Sequence, residues 1–241
     1  MTPARVGKRA SDRLVKICGA TTPQEVRSLA ATGADCVGLW HGVPEGSADL
    51  SERDLVALAR ATSDTATLEP VLVTFLSDAG RLAWLVERSG VRWIQLHAYQ
   101  PPGVVQRLRT ALPDCVIIKV LHVADGDCPE LPLLDSYTRA GTDLFLIDRA
   151  GANGRLGSTG EQVSDQEVVE IAGRLSRPFL LAGGVTAHNL TDYTKVLRCP
   201  GFRGIDVDTG ARGPDGTLSA AAVRELAHTW RGTGRTCVER G

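Results

Sequence analysis

Long apolar runs are missing from this 241-residue chain: no stretch approaches the roughly twenty residues that a membrane-spanning helix needs. No secretory-signal pattern opens the sequence either. Charge of one sign is equally absent. Twenty-seven Lys and Arg stand against 28 Asp and Glu, so there is no one-sided field to hold nucleic acid or a membrane surface. A local cluster could still hold one phosphate. Aromatic residues make up only 5%, which leaves Ala, Val and Leu to fill the interior that a 43% hydrophobic content supplies. The six cysteines, Cys18, Cys36, Cys115, Cys128, Cys199 and Cys237, show neither C-x-x-C nor paired metal spacing. They read as reduced thiols of a cytoplasmic protein, not as a disulfide framework. No metal site is expected.

What is present is a regular alternation of short apolar runs and helix-like segments. Leu14 to Cys18 reads as a strand, followed by Gly19 and a helix opening near Pro23 with Val26, Leu29 and Ala30 at helical spacing. Further strands are expected at Asp35–Trp40, Pro70–Phe75, Val91–Leu96, Cys115–Leu121, Asp143–Ile147, Pro178–Ala182 and Phe202–Val207. Helices fall between them: one capped by Ser51, others at Asp78–Arg88, from Pro101-Pro102, at Leu131–Arg139, Ser164–Arg174, His188–Leu197 and Leu218–Arg231. Eight such units with unbroken apolar strands indicate a single-domain (β/α)8 TIM barrel over residues 13–231. Residues 1–12 read as a flexible N-terminal extension and residues 232–241 as a loose C-terminal tail.

A barrel of this kind builds its site from the loops after each strand. The strand ends are then Cys18, Trp40-His41, Phe75, His97, Lys119, Asp148, Gly183-Gly184 and Thr209-Gly210. Cys18 and Asp148 face one mouth from strands one and six, which suits a base and an acid working on a small sugar. Cys18 has a bland alternative, since free cysteine is among the most buried residue types. The glycine pair after strand seven and Gly210 after strand eight sit where this fold commonly cradles a phosphate on backbone N–H groups. Ordinary tight turns are the competing reading.

The ordered series Lys16-Ile-Cys-Gly19, Gly33-Ala-Asp35, Gln95-Leu-His97, Ile118-Lys119, Leu146-Ile-Asp148, Gly157-Ser-Thr-Gly160, Leu181-Ala-Gly-Gly184 and Asp206-Val-Asp-Thr-Gly210 resembles the phosphoribosylanthranilate isomerase family, the tryptophan-pathway barrel. The likeness spans roughly Leu14 to Trp230. It implies that Cys18 is the general base and Asp148 the general acid, with Gly183, Gly184 and Gly210 binding phosphate and Thr209 beside them. The implied reaction is an Amadori rearrangement of a phosphorylated aminoaldose to an aminoketose, with no metal or organic cofactor and a small phosphorylated sugar as substrate; the oligomeric state is left open. It needs a cysteine of lowered pKa. Lys16 is not expected to supply that by adjacency, because successive strand residues face opposite sides; a helix N-terminus or the phosphate surroundings are expected to do so.

The series departs from the family pattern in several loops, among them Ser158 to Asp165, which lacks the Phe and Trp of the family's G-[TS]-G-x-x-F-D-W stretch. Where the family carries an arginine for the anthranilate carboxylate, Glu45-Gly-Ser-Ala-Asp-Leu50 offers Ala48 or Asp49. Trp40-His41 replace a small-apolar and aromatic pair, and Asp208 to Arg212 replace an S-S-G-V-E stretch. This suits a paralogue with an altered substrate. His97 either hydrogen-bonds a substrate hydroxyl or is a structural group. His41 could touch the altered substituent and Arg149 could replace the missing carboxylate contact. Arg212 either meets phosphate or lies in solvent. Lys119, taken as a strand end, leaves open a Schiff-base aldolase, and a non-catalytic sugar-phosphate-binding protein is the third reading.

Overall fold

The computed structural model describes residues 13–124, 126–151 and 162–232. The expected extension of residues 1–12, the tail from 233 onward, Cys237 and the 157–160 glycine stretch lie outside the described residues.

Eight strands, β1 (Leu14–Cys18), β2 (Cys36–Trp40), β3 (Glu69–Thr74), β4 (Trp93–Leu96), β5 (Val116–Val123), β6 (Leu144–Arg149), β7 (Phe179–Leu181) and β8 (Phe202–Val207), pair in sequence order as a closed barrel. Every neighbouring pair is parallel, including β8 with β1. Seven α-helices among the described residues surround it: α1 (Pro23–Ala30), α2 (Glu52–Ser63), α3 (Ala79–Ser89), α4 (Pro102–Ala111), α5 (Leu134–Ala140), α6 (Asp165–Ala172) and α7 (Ala220–Gly232). This is the (β/α)8 barrel that the sequence pattern indicates. No helix among the described residues is long and apolar enough to cross a membrane.

Local chemistry starts the helices where the sequence marks them. Thr22 and Ser164 each form a reciprocal capping box with the glutamate three residues on, while Ser51 and Asp78 cap α2 and α3 through their side chains. The expected helix over His188–Leu197 is instead two short 3-10 turns, Leu190–Tyr193 and Val196–Arg198. Asn189 accepts a hydrogen bond from the Thr186 amide (2.9 Å) and donates one to the Gly184 carbonyl (2.8 Å). A side chain that bonds the backbone in this way competes with a helix ladder, and the Thr- and Asp-rich stretch has little helix propensity to resist it.

Side-chain alternation along the strands divides the core into two layers. Val15, Ile17, Ile117, Leu121, Ile205 and Val207 face the helices. Leu14, Cys36, Val71, Trp93, Val116, Ile118, Leu146 and Leu180 fill the barrel interior. Strand β5 runs two residues past the expected end at Leu121, so Lys119 lies in mid-strand rather than at the mouth.

At the β7/β8 seam the register shifts between Phe179 and Leu180, so that Phe179 pairs with Phe202 but Leu180 with Gly204. Gly204 has φ 141°, and a Cβ there would run into the Leu14 backbone of the neighbouring strand. Only glycine combines that backbone with that approach. Gly204→Ala is therefore expected to destabilise the fold by about 2–4 kcal/mol and lower Tm by about 5–15 °C. Thermal denaturation checks this, and an unchanged Tm contradicts it.

Candidate active site

The carboxyl ends of the strands enclose a cavity of about 440 Å³. Cys18, His97, Asp148, Gly183, Gly184, Thr209 and Gly210 all line it. Two sequence candidates do not. The His41 ring Nδ1 meets the Leu50 carbonyl (2.8 Å) inside its own loop, and Arg149, the residue after Asp148, takes the other face of β6, where its charge helps hold the Glu167 carboxyl at the start of α6 below its ordinary range, after the Ser164 hydrogen bond. Lys119 also lies outside the cavity.

Lys119 faces the helix layer. Its Nζ donates to the carbonyls of Ala98 (2.7 Å) and Val120 (2.6 Å), lies 3.6 Å from Glu130 Oε1 and sits 5.4 Å over the Tyr137 ring of α5. Burial lowers its pKa to about 8, with Glu130 opposing. That value would suit Schiff-base chemistry, but the amine points away from the mouth because it shares the outward face of β5 with Ile117 and Leu121. The aldolase reading has no geometry to stand on.

At the base position, Cys18 Sγ accepts hydrogen bonds from Lys16 Nζ and Trp40 Nε1, each at 3.2 Å. Lys16 in turn donates to both oxygens of Asp206 at 2.8 Å, a pair with almost no exposure. The sequence expectation for Lys16 is thus corrected: it stands two residues from Cys18, so alternation puts both side chains on the same inward face. Gly38 on β2 makes room for them, since a Cβ there would lie 2.5 Å from Sγ and 3.1 Å from Lys16 Nζ.

The expected depression of the Cys18 pKa is also corrected. Burial pushes the thiol up to about 12, Asp206 adds to the rise, and Lys16 and the Trp40 hydrogen bond only partly offset it. Lys16 feels burial in the opposite sense, yet Asp206 and Cys18 outweigh it and hold the ammonium above its ordinary value. The resting site therefore contains a neutral thiol beside a charged ion pair.

Asp148 lies near His97, with His97 Nε2 3.2 Å from Asp148 Oδ2. Gln95 Nε2 lies 2.9 Å from His97 Nδ1, and His97 Nε2 is buried without a hydrogen-bond partner. Phe75 stacks on the other side of the imidazole, ring centroids 5.6 Å apart. The histidine stands beside the carboxylate without hydrogen-bonding it.

Gly183 and Gly184 follow β7 with φ of 78° and 61°, and Asn189 ties down the Gly184 carbonyl. Gly210 lies in the 3-10 turn Thr209–Ala211 after β8, where a Cβ would strike the Val185 carbonyl. The two loops thus pack backbone against backbone at one end of the cavity. Arg212, beside this turn, is taken up by Asp208 Oδ1 (2.8 and 2.7 Å) and the Gly19 carbonyl (3.1 Å).

Trp40, Val43, Pro44, Glu45 and Phe75 also line the cavity. Asp49 accepts from the Val43 amide (3.0 Å) and Ala48 is buried, so neither candidate for the missing arginine position lines the cavity. Residues that sequence reasoning passed over are Lys16, Asp206 and the indole of Trp40. Their signal was a charged side chain at an inward position of each of the two adjoining apolar strands. Among the described residues no cluster of three or more His, Cys, Asp and Glu side chains is arranged to hold a metal ion.

With this geometry in place, comparison with known proteins adds descent. A model of the family N-(5'phosphoribosyl)anthranilate (PRA) isomerase matches residues 15–227. The N-(5'-phosphoribosyl)anthranilate isomerase 2 of Methanosarcina mazei is 31% identical over 217 residues, covering 89% of this chain and 92% of that protein. The N-(5'-phosphoribosyl)anthranilate isomerase of Rhodopseudomonas palustris is 30% identical over 227 residues, covering 93% and 98%. The crystal structure of phosphoribosyl anthranilate isomerase from Thermus thermophilus has the same fold, with a TM-score of 0.72 at 22% identity over 90% of this chain and 97% of that one. The chain belongs to the N-(5'-phosphoribosyl)anthranilate isomerase family.

Proposed function

We propose that this chain is an aldose–ketose isomerase that converts a phosphoribosylamine bearing an aromatic N-substituent, anthranilate or a related group, into the 1-amino-1-deoxyribulose 5-phosphate. Family membership supports the reaction class. The observation that carries the residue roles is that Cys18, Asp148 and the backbone of Gly183, Gly184 and Gly210 line the same cavity.

In this reading the glycine loops hold the 5-phosphate through backbone N–H groups. Asp148 in its acid form donates a proton to the ribose ring oxygen. The C1–O bond breaks as the nitrogen lone pair forms an iminium at C1. As the iminium charge forms, Cys18 releases its thiol proton to solvent; the thiolate then takes the C2 proton, and the C2–H electron pair forms the C1–C2 double bond of an enolamine while the iminium is neutralised. Ketonisation of that enolamine gives the C2 carbonyl. The acid step suits the base step electrostatically, because the iminium brings positive charge into the cavity and favours the thiolate when it is needed. Lys16, 3.2 Å from Sγ, stabilises the same anion. The five described cysteines are free thiols, which supports a reducing, cytoplasmic setting.

A direct assay with phosphoribosylanthranilate tests the reading. Cys18→Ala and Asp148→Asn are each expected to lower kcat by about 10²–10⁴-fold while a bound product analogue loses affinity only a few-fold. Activity unchanged by both substitutions refutes the acid/base assignment. A second test follows from the neutral thiol. Alkylation of Cys18 by iodoacetamide, followed on its own peptide by mass spectrometry, is expected to rise about tenfold per pH unit from pH 7 to 10 with no plateau. A plateau with its midpoint below pH 8.5 would contradict the raised thiol.

A further inference from the structure

We propose that the indole N–H of Trp40 is the second hydrogen-bond donor that holds the Cys18 sulfur as an anion while it takes the C2 proton, which makes Trp40 a positioning residue of the isomerisation. The inference rests on the isomerase reading and adds to it a residue outside the acid/base pair.

Strand register brings the ring to the sulfur. Cys18 pairs with Gly38 across β1 and β2, and Trp40 stands two residues further on, so alternation turns it to the same inward face. Gly38 leaves the space between them open, since a Cβ there would lie 2.5 Å from Sγ. Indole Nε1 comes to 3.2 Å from Sγ. The ring is held from its other edge by the loop after β2: a Cβ on Gly46 would lie 3.2 Å from Trp40 Cε3, and the Trp40 carbonyl accepts from the Leu50 amide (2.9 Å). Where the family pattern has a small apolar residue, this chain has a donor aimed at the base.

The chemistry of the two groups at Sγ decides what that donor is for. An indole N–H and an ammonium donate and cannot accept. A thiol sulfur accepts weakly, whereas a charged acceptor makes the stronger hydrogen bond. The surroundings of Sγ therefore fit the thiolate better than the resting thiol, and they are in place before the proton leaves. The two donors are not equivalent. Lys16 also donates to both oxygens of Asp206 at 2.8 Å, and the charge of that carboxylate opposes the thiolate. The indole is uncharged and brings no anion with it, so its hydrogen bond favours the thiolate without that offset.

The test replaces Trp40 by benzothienylalanine at an amber codon, which exchanges the N–H for a sulfur in a ring of the same shape. Three quantities are measured on the full chain: kcat and KM with phosphoribosylanthranilate, the Kd of a reduced product analogue by calorimetry, and the alkylation rate of Cys18 by iodoacetamide from pH 7 to 10. The replacement is expected to lower kcat by about tenfold or more, as loss of a hydrogen bond to a charged group does, with KM and Kd held within about threefold. Alkylation is expected to keep its rise with pH but run about threefold slower, since about tenfold less thiolate is partly offset by its greater nucleophilicity. Trp40→Phe, which also lacks the N–H, is expected to show the same loss of kcat. An unchanged kcat overturns the inference, as does a loss confined to KM and Kd or a loss of kcat with alkylation unchanged; each of these leaves the isomerase reading standing. Wild-type protein that neither turns over phosphoribosylanthranilate nor binds the analogue overturns the isomerase reading and the inference together.

Discussion

The rest of the site leans on one buried contact, the Lys16–Asp206 ion pair. These residues are register partners across the β8/β1 seam, so the pair crosses the junction that closes the barrel. Both side chains are at most 5% exposed, and removal of either partner would leave the other unpaired in a largely dry core, an effect of about 3–5 kcal/mol in comparable buried pairs. The same pair sets the electrostatics of Cys18. The ammonium lies against Sγ, but the aspartate largely spends its charge, so burial prevails and the thiol stays neutral at rest. A site built this way keeps its sulfur protonated until positive charge arrives with the reacting substrate.

The barrel turns a simple two-residue alternation into a division of labour. Lys16 and Lys119 are both strand lysines with almost no exposure. One points inward and touches the sulfur; the other points outward into a helix-layer cluster with Glu130 and Tyr137. Their residue type is the same, but their positions are opposite and their pKa values move in opposite directions. Asp148 and Arg149 repeat the contrast at the end of β6, the first lining the cavity and the second facing α6. Orientation, not residue type, decides which ionisable groups take part.

The cavity itself has two unlike ends. One is made of glycine backbone in two loops that press against each other, a surface suited to phosphate oxygens. The other is aromatic, with an acidic rim. The Asp148–His97–Gln95 series and the Cys18–Lys16–Asp206 series stand between them, each anchored on strands rather than loops. That arrangement supports a rigid reacting centre.

The amino-acid sequence by itself determined the eight apolar strands, the capped helices between them, and the closed parallel barrel, because strand-length hydrophobic runs and Ser, Thr and Asp caps act locally. It also marked Cys18, Asp148, Gly183, Gly184 and Gly210 as strand-end residues, and those are the ones that meet in the cavity. The His188–Leu197 segment was not legible, since its 3-10 turns depend on Asn189 bonding to a loop backbone. Only the tertiary structure decided which face each ionisable residue takes, where β5 ends, and that His41 and Arg149 stay outside. It alone decided the state of the thiol, because a pKa depends on burial and on charges brought close by strands at opposite ends of the chain, and sequence distance carries no measure of either.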